Sequence, residues 1–315
     1  MNVVLHFAAE PGLATRIRAA VPDWIDLHLV AEADRDGFAD AMARCEVLWH
    51  VLEPVTAATL ESALSLRLVQ KIGVGVNTID LDAARRLGVA VANMPGTNTT
   101  ATAEFALTLM LAALRRLPTF DRTVRDGAWY DSAALVSGCG EISGRSVGLV
   151  GYGAVASTLA RILDAMGATV VYTARSPKAD AVGEWRELDD LLATSDVVSL
   201  HAPLTDDTRH MIDAAALARM RPGAVLVNTA RGALVDEDAL VDALASGRLR
   251  AAGLDVFAEE PLAPTSPLLA LPNVVVAPHV AWLTPETFDR SIGVAVENCR
   301  RLRDGEALLH RVVAG

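Results

Sequence analysis

The sequence predicts an α/β protein built from two doubly wound parallel-sheet domains, Rossmann-like or flavodoxin-like, with a cleft between them. Short apolar, β-like runs alternate with helical patterns along the whole chain, as in a parallel sheet with helices on both faces. The 315 residues are long for one domain and comfortable for two. Because 52% of them are hydrophobic, the chain can bury a large core.

The first third of the chain reads as a small α/β domain in itself. Apolar runs predict strands over residues 3–7, 25–30, 47–51, 68–72 and 89–91. Helical patterns predict helices between these strands, over residues 13–20, 37–42, 56–63 and 81–87.

A second α/β series follows a long apolar helix predicted over residues 99–116 and a looser stretch at residues 126–131 and 137–140. Its predicted strands are 146–150, 169–172, 224–227, 251–256 and 274–277. The last helix, over residues 284–303, opens with Thr284-Pro285-Glu286, a capping residue followed by proline at the first helical position. This helix can return the chain to the first domain. We therefore expect a discontinuous domain of residues 1–96 plus 285–315 and a continuous one of residues 97–284.

Composition and charge narrow the class of protein. A net charge of −11 disfavours binding to nucleic acid or to acidic membrane surfaces. We see no uncharged apolar stretch of membrane-spanning length and no signal peptide at the N-terminus. Cys45, Cys139 and Cys299 form no CxxC pair, which argues against a metal site and favours a reducing compartment. We therefore expect a cytoplasmic protein without a metal.

A glycine-rich turn, Gly151-x-Gly153-x-x-Ala156, lies between a predicted strand and a helical pattern. The glycines allow a tight turn and close backbone approach, and the helix N-terminus can then face a pyrophosphate. The turn predicts a dinucleotide site, with further contacts from Tyr152, Ala154 and Val155. The alternative is a tight strand–helix turn without a ligand.

The end of the next predicted strand indicates which dinucleotide is bound. NAD sites usually place Asp or Glu there to hold the ribose 2′-hydroxyl. Here Thr173-Ala-Arg-Ser-Pro-Lys178 contains no acid. Arg175 and Lys178 can pair with a 2′-phosphate, and Ser176 can donate a hydrogen bond to it. The sequence therefore favours NADPH over NADH, unless these two cations are simply solvated loop residues.

Three polar residues, Arg231, Glu260 and His279, each follow a predicted strand of the second series. Ligands of open parallel sheets bind at the carboxyl ends of strands. If hydride moves between a nicotinamide and a carbonyl carbon, the carbonyl oxygen needs a proton donor, and histidine suits that role. Glu260 can orient the imidazole and favour its charged form, and Arg231 can hold a substrate carboxylate. Taken singly, such residues are more often a solvated loop charge, a turn residue or a strand cap. Their common placement at strand ends is what favours a site.

The chain resembles the D-isomer-specific 2-hydroxyacid dehydrogenase family over nearly its whole length. Nine stretches carry the resemblance: Gly73-Val-Gly-Val-Asn-Thr-Ile-Asp80, Asn93-Met-Pro-Gly96, Ala103-Glu104, Gly148-Leu-Val-Gly-Tyr-Gly153, His201-Ala-Pro-Leu204, Val227-Asn-Thr-Ala-Arg-Gly232, Gly253-Leu-Asp-Val-Phe257, Glu260-Pro-Leu262 and Pro278-His279. It implies an NAD(P)-dependent oxidoreductase acting on CH–OH groups, with residues 97–284 as the cofactor domain and the discontinuous domain as the substrate domain.

The resemblance also implies individual roles. Arg231 would anchor the substrate carboxylate, His279 would be the acid–base and Glu260 its partner, while the backbone at Val74-Gly75 would bind the same carboxylate. Asp255 would hold the nicotinamide carboxamide, and the remaining implied cofactor contacts are Thr102, His201, Ala202, Pro203, Thr208, Thr229, Ala230, Arg231 and His279. Members are mostly homodimers joined through their cofactor domains. The acid that many members carry after the second cofactor-domain strand is missing here, in agreement with NADPH.

The substrate's tail is the least determined feature. The loop Trp49-His-Val-Leu-Glu-Pro-Val55 falls where members point side chains toward the substrate, and it offers Val51 and Leu52. Its acidic Glu53 makes a poor phosphate site. His279-Val-Ala-Trp282 is similar to a motif of glycerate dehydrogenases and hydroxypyruvate reductases, so Trp282 either caps a small pocket or packs between the domains. We favour glyoxylate or hydroxypyruvate, with D-3-phosphoglycerate or a bulkier apolar 2-oxo acid as alternatives.

Two functions of another class are also compatible with parts of the sequence. A dinucleotide-sensing, corepressor-like binding protein could retain Arg231, Glu260 and His279. A methyltransferase with an adenosine cofactor would need only the glycine-rich turn, and would leave the anchoring arginine unexplained.

Overall fold

The structure is a computed structural model that describes residues 1–129 and 139–314. The chain divides into two compact units, Met1–Asn98 with Leu283–Gly315, and Thr99–Trp282. The domain ends predicted after residues 96 and 284 differ from these by two residues each.

The first unit alternates strands and helices, as its sequence predicts. Its strands are β1 (Asn2–His6), β2 (Asp26–Val30), β3 (Val47–His50), β4 (Leu68–Lys71), β5 (Ala90–Ala92) and, near the C-terminus, β13 (Arg311–Val313). Its helices are α1 (Pro11–Ala20), α2 (Arg35–Met42), α3 (Ala57–Ser62), α4 (Leu81–Leu87) and α11 (Pro285–Asp304). The side chain of Thr284 caps α11 by accepting from the backbone N–H of Thr287, which confirms the predicted start of that helix.

The strands of the first unit form one sheet in the order β13-β5-β4-β3-β1-β2. All neighbours are parallel except β13, which pairs antiparallel with β5. The register places His6, His50 and Lys71 side by side, as the last residues of β1, β3 and β4.

The second unit contains the other elements. Its strands are β6 (Ser146–Val150), β7 (Thr169–Thr173), β8 (Glu184–Trp185), β9 (Val197–Leu200), β10 (Ala224–Asn228), β11 (Leu249–Leu254) and β12 (Val274–Val276). Its helices are α5 (Thr99–Arg115), α6 (Leu117–Arg125), α7 (Ala154–Ala165), α8 (Leu188–Thr194), α9 (Ala214–Arg219) and α10 (Glu237–Ala245), with short 3₁₀ turns at Gly232–Leu234 and Pro267–Ala270.

The seven strands of the second unit form a parallel sheet in the order β12-β11-β10-β9-β6-β7-β8. One buried cluster includes Leu109 of α5 and Leu159 of α7, and another includes Leu191 of α8, Leu217 of α9 and Leu240 of α10. Helices therefore pack on the sheet in two separate cores, and the predicted class of two parallel-sheet α/β domains is confirmed. The chain leaves β6 toward β7 and returns to β9 on the other side, so β6 marks the switch point where such sheets bind ligands.

The structure adds a helix, α6, between the predicted long helix and the predicted looser stretch at residues 126–131 and 137–140, of which residues 130, 131, 137 and 138 lie outside the described residues. Arg116 has φ 52°, a left-handed conformation that ends α5, and α6 begins at the next residue with Pro118 in its first turn. No residue of α6 is buried. The strand β9 and the helices α8, α9 and α10 were also not predicted. The short strands β8 and β13 were missed because two- and three-residue strands carry no periodic signal.

No helix among the described residues combines the length and apolarity needed to cross a bilayer. The described residues also contain no group of three or more His, Cys, Asp or Glu side chains arranged to hold a metal.

Candidate active site

The glycine-rich turn follows β6, at the switch point of the second sheet. Gly151 has φ 89°, which a residue with a Cβ rarely adopts. A Cβ there would lie 2.7 Å from the backbone nitrogen of Ala202, in the segment that follows β9. Both the turn and this close backbone approach therefore require glycine at position 151.

The start of α7 can receive an anion. Gly153 precedes the helix and supplies no side-chain cap, so the first N–H groups of α7 have no partner from that side. No atom of the described residues lies within 4 Å of where a Cβ of Gly153 would be. Ala156 is fully buried, so the helix sits tightly on the sheet. This geometry fits a pyrophosphate at the helix N-terminus.

Two predicted cofactor residues directly follow the neighbouring strands β9 and β10. The Thr229 hydroxyl is buried and has no hydrogen-bond partner among the described residues, as expected of a group that contacts a ligand. Burial lowers the pKa of His201 to about 4, so its imidazole is neutral. The Thr208 hydroxyl donates to the Pro203 carbonyl at 2.7 Å and folds the segment between them.

The other predicted cofactor residues lie in the same unit. Thr102 is buried in α5, Ala202 is buried, and Ala230 is half-buried. Arg175, Ser176 and Lys178 are exposed on the loop after β7. Within residues 1–129 and 139–314, neither cation forms an ion pair, so both can receive an anionic group.

Arg231 lies on a tight turn after β10. Asn228, the last residue of β10, accepts from the backbone N–H of Ala230 at 3.0 Å and donates to the carbonyl of Arg231 at 2.9 Å. A Cβ on Gly232 would lie 1.9 Å from the backbone carbonyl of Phe257, so the turn rests directly on the segment after β11. Asn228 and Gly232 thus fix the turn that carries the guanidinium.

Glu260 and His279 form a hydrogen-bonded pair. The Glu260 Oε2 atom lies 2.6 Å from His279 Nδ1, and Oε1 accepts from the backbone N–H of Phe257 at 3.0 Å. The side chains of His279 and Glu260 are 22% and 34% exposed, so solvent screens the pair only in part. Because Nδ1 contacts the carboxylate, Nε2 is the nitrogen that can exchange a proton with a substrate.

The backbone of His279 is held in a left-handed conformation with φ 56°. Its N–H donates to the carbonyl of Asp255 at 2.8 Å, and its carbonyl accepts from the indole N–H of Trp282 at 3.0 Å. The two carboxylate oxygens of Asp255 accept from the next two N–H groups, those of Val280 and Ala281, at 2.8 and 2.9 Å. Asp255, which was predicted to hold a carboxamide, therefore already anchors the loop that carries His279.

The pKa values of the two carboxylates and the one guanidinium of the site are shifted by different causes. Burial raises the pKa of Asp255, against the two backbone hydrogen bonds that lower it. Burial also acts to raise the pKa of Glu260, but the hydrogen bond and charge of His279, together with Phe257 N–H, hold it below its ordinary value. Burial lowers the pKa of Arg231, and the charge of Glu260 opposes this. Glu260 is thus ionised near neutral pH, as a partner of imidazolium must be.

The predicted substrate residues of the first unit lie on two loops at the carboxyl edge of its sheet. Val51 is 1% exposed and Leu52 is half-buried, so Leu52 is the more accessible of the two. Val74 is exposed and Gly75 half-buried. Trp282 of the second unit is buried, and its indole N–H is occupied by the His279 carbonyl.

Sequence reasoning missed two buried residues beneath these loops. The Lys71 ammonium donates to the carbonyl of Val51, and His50 Nε2 donates to the carbonyl of Glu53 at 2.6 Å. A Cβ on Gly73 would lie 3.5 Å from Lys71 Cε, so the lysine also runs beneath the second loop. The available signal was a basic residue at the end of a strand. Asn228 was also missed, and its signal was an Asx residue that opens a turn.

Comparisons with known proteins show what this chain is similar to. Residues 107–281 match the model of the family described as D-isomer specific 2-hydroxyacid dehydrogenase, NAD binding domain. The chain is 44% identical over 256 residues to a glyoxylate reductase of Aeropyrum pernix, across 78% of this chain and 76% of that protein.

Two further relatives extend the similarity. A D-3-phosphoglycerate dehydrogenase of Mycobacterium tuberculosis is 41% identical over 308 residues, across 96% of this chain and 58% of that protein, so this chain spans just over half of its length. A solved structure of a Thermus thermophilus protein superposes with a TM-score of 0.88 at 36% identity, across 99% of this chain and 100% of that one.

Proposed function

Because the chain belongs to the D-isomer specific 2-hydroxyacid dehydrogenase family of NAD-binding oxidoreductases, we propose that it reduces a small 2-oxo acid to the D-2-hydroxy acid with NADPH. The observation that carries the proposal is the 2.6 Å contact between Glu260 and His279 Nδ1, which leaves Nε2 for the substrate. Arg231 and the glycine-rich turn lie at the same carboxyl edge of one sheet.

The chain's own residues supply binding and proton transfer. Arg231 offers a planar pair of donors to the substrate carboxylate, and its charge polarises the adjacent carbonyl. His279 donates the Nε2 proton to the carbonyl oxygen as negative charge develops there, and takes it back in the reverse direction. Glu260 keeps the imidazole oriented through Nδ1 and stabilises its charged form. When bound, the nicotinamide cofactor supplies the hydride for the carbonyl carbon.

The fit of a dinucleotide rests on three features of the second unit. The uncapped start of α7 suits the pyrophosphate, and the unpartnered Thr229 hydroxyl can contact the nicotinamide half. Arg175 and Lys178 are exposed cations on a segment without a carboxylate before Asp180, which favours a 2′-phosphate and hence NADPH over NADH.

We propose glyoxylate or hydroxypyruvate as the substrate. The glyoxylate reductase and the hydroxypyruvate reductase among the relatives support this choice, at 44% and 38% identity. The acidic Glu53 on the predicted substrate loop disfavours a phosphorylated acid. D-3-phosphoglycerate nevertheless remains the second candidate, because relatives of that name match this chain over 96% of its length.

A panel of 2-oxo acids, assayed with NADPH and with NADH, tests the proposal. His279→Ala should lower kcat by about 10²–10⁴-fold, because the carbonyl oxygen loses its proton donor. His28→Ala, a surface histidine of the other unit, serves as the matched control and should leave kcat unchanged.

Each result of this panel bears on a separate part of the proposal. Unchanged turnover in His279→Ala would contradict the acid–base role. Higher kcat/KM with NADH throughout would contradict the cofactor preference. Cofactor binding without turnover of any 2-oxo acid would favour a dinucleotide-sensing protein.

We further propose a homodimer joined through the cofactor domain, in the cytoplasm. The exposed apolar side chains of α6 in the second unit support the dimer.

The cytoplasmic location is supported by the three cysteines, none of which forms a disulfide. This location stays a prediction.

A further inference from the structure

The loop after β7, residues 174–183, is fastened to the sheet by three aromatic side chains. The Tyr152 hydroxyl accepts from the backbone N–H of Val182 at 2.9 Å and donates to its carbonyl at 3.1 Å. The Tyr172 hydroxyl accepts from the backbone N–H of Lys178 at 2.7 Å. The indole N–H of Trp185 donates to the carbonyl of Ala174 at 3.0 Å. These bonds fix the beginning, middle and end of the loop.

The two tyrosines also connect this loop to the glycine-rich turn. Tyr152 lies between the two glycines of that turn, and Tyr172 lies within β7. Their rings pack with centroids 4.2 Å apart at 40°, and Tyr172 is only 2% exposed. Any movement of the loop must therefore break bonds to side chains that are held by the turn and the sheet.

The fastened loop carries the exposed residues Arg175, Ser176 and Lys178. Exposed cations on a mobile loop lose chain entropy when they close on an anion, whereas a preorganised loop has already lost it. A 2′-phosphate is the only group by which NADPH differs from NADH. How firmly this loop is held in place therefore affects how much more tightly the protein binds NADPH than NADH.

We propose that Tyr152 and Tyr172 are positioning residues that set the preference for a 2′-phosphorylated dinucleotide, by holding the backbone of the Arg175–Lys178 segment in place. The inference rests on the proposed NADPH preference. It assigns the side chain of Tyr152 to the loop, whereas only the backbone of this residue would face the pyrophosphate.

The test compares full-length wild-type protein with Tyr152→Phe, Tyr172→Phe and the double variant. Each substitution removes one hydroxyl and keeps the ring. Dissociation constants for NADPH, NADH and 2′,5′-ADP are measured by titration calorimetry, without turnover. Each hydroxyl lost should raise the Kd for NADPH and 2′,5′-ADP by about two- to tenfold, with the Kd for NADH changed less than about twofold.

Amide hydrogen exchange of the unliganded variants gives a second readout. Exchange in residues 174–183 should be faster in both Tyr→Phe variants. Ser195→Ala is the matched control, because it also removes a hydroxyl that is hydrogen-bonded within the unit but contacts Leu191 rather than the loop. It should change neither exchange in the loop nor the ratio of the two Kd values.

Equal weakening of NADPH and NADH, or an unchanged ratio, would overturn the positioning role. A wild-type protein that binds NADH more tightly would instead contradict the proposed cofactor preference. The positioning role would then still be judged by whether the variants bind 2′,5′-ADP more weakly than wild type.

Discussion

At the scale of single residues, the site depends on a pair and on a turn. Glu260 and His279 are 2.6 Å apart, and each is fixed by further hydrogen bonds to backbone atoms. The turn that bears Arg231 is fixed by Asn228 and by the contact of Gly232 with the Phe257 backbone. Changes at these positions should therefore act on geometry as well as on charge.

Glu260→Gln should narrow the pH range in which reduction occurs. An amide keeps the shape of the carboxylate but does not stabilise imidazolium, so the alkaline fall of kcat/KM for reduction should move to lower pH. The pH profile of kcat/KM for the best 2-oxo acid measures this, with Glu259→Gln as the control at an exposed neighbouring carboxylate. Coincident profiles of wild type and Glu260→Gln would contradict the role of Glu260.

The same pair should contribute to stability only above a certain pH. The pKa of Glu260 in the folded chain lies below its ordinary value of 4.5, so its ionised form stabilises the fold above that value. This contribution is lost as the pH falls through the folded pKa. Urea unfolding of wild type and Glu260→Gln should differ near neutral pH, by less than about 1 kcal/mol because solvent partly screens the pair, and converge in acid.

Gly232→Ala should damage both stability and activity. Its Cβ would lie 1.9 Å from the Phe257 carbonyl, so the turn must shift, at a cost of about 1–3 kcal/mol or more. Urea unfolding and kcat measure the two effects. Gly293→Ala is the control, because no described atom outside its own helix lies within 4 Å of where its Cβ would be in α11. There alanine should stabilise by up to about 1 kcal/mol. Wild-type kcat in Gly232→Ala would show that the turn tolerates displacement.

At the scale of elements, the carboxyl ends of β3 and β4 carry a support for the predicted substrate loops. His50 and Lys71 are register partners on these strands, and both donate to carbonyls of the segment from Val51 to Glu53. Burial and the charge of Lys71 lower the pKa of His50 to about 3, so this imidazole stays neutral over the working range of pH.

Lys71→Met should raise KM for the 2-oxo acid several-fold while the Kd for NADPH stays unchanged. Methionine fills a similar volume but cannot donate to the Val51 carbonyl, so the loop loses a tether. Arg67→Met is the matched control, because Arg67 directly precedes the first residue of β4, at the end of the strand away from this loop. If Lys71→Met left KM unchanged, or altered NADPH binding alone, the loop would not be the substrate site.

At the scale of the whole molecule, α6 stands out among the described helices of the second unit because it has no buried residue. Leu117 is 59% exposed and Val124 54% exposed, and apolar side chains grouped on an exposed helix often mark a protein interface. A second copy of the chain is the partner that we propose for this helix.

Val124→Glu should convert the proposed dimer to a monomer, because a carboxylate would be desolvated in the interface. Size-exclusion chromatography with light scattering measures the mass. Leu64→Glu is the control, since Leu64 is 94% exposed in the first unit. A wild-type monomer would contradict the dimer, and a dimeric Val124→Glu would exclude α6 as its interface.

Much of this organisation can be predicted from the sequence because its signals are local. The alternation of apolar runs and helical patterns identified the strands β1–β7 and β10–β12, the helices of the first unit, and α5 and α7. The Thr284-Pro285 cap identified the start of α11. The positions of Arg231, Glu260 and His279 after predicted strands placed them at one edge of the sheet, since parallel strands in one sheet share their carboxyl edge.

Only the tertiary structure decided which distant residues meet. It brought the Tyr152 hydroxyl to Val182, both oxygens of Asp255 to the loop of His279, and Lys71 to the carbonyl of Val51. It also paired β13 antiparallel with β5 and left α6 exposed. These contacts depend on strand order and register, which are set by burial over the whole sheet and carry no local signal in the chain.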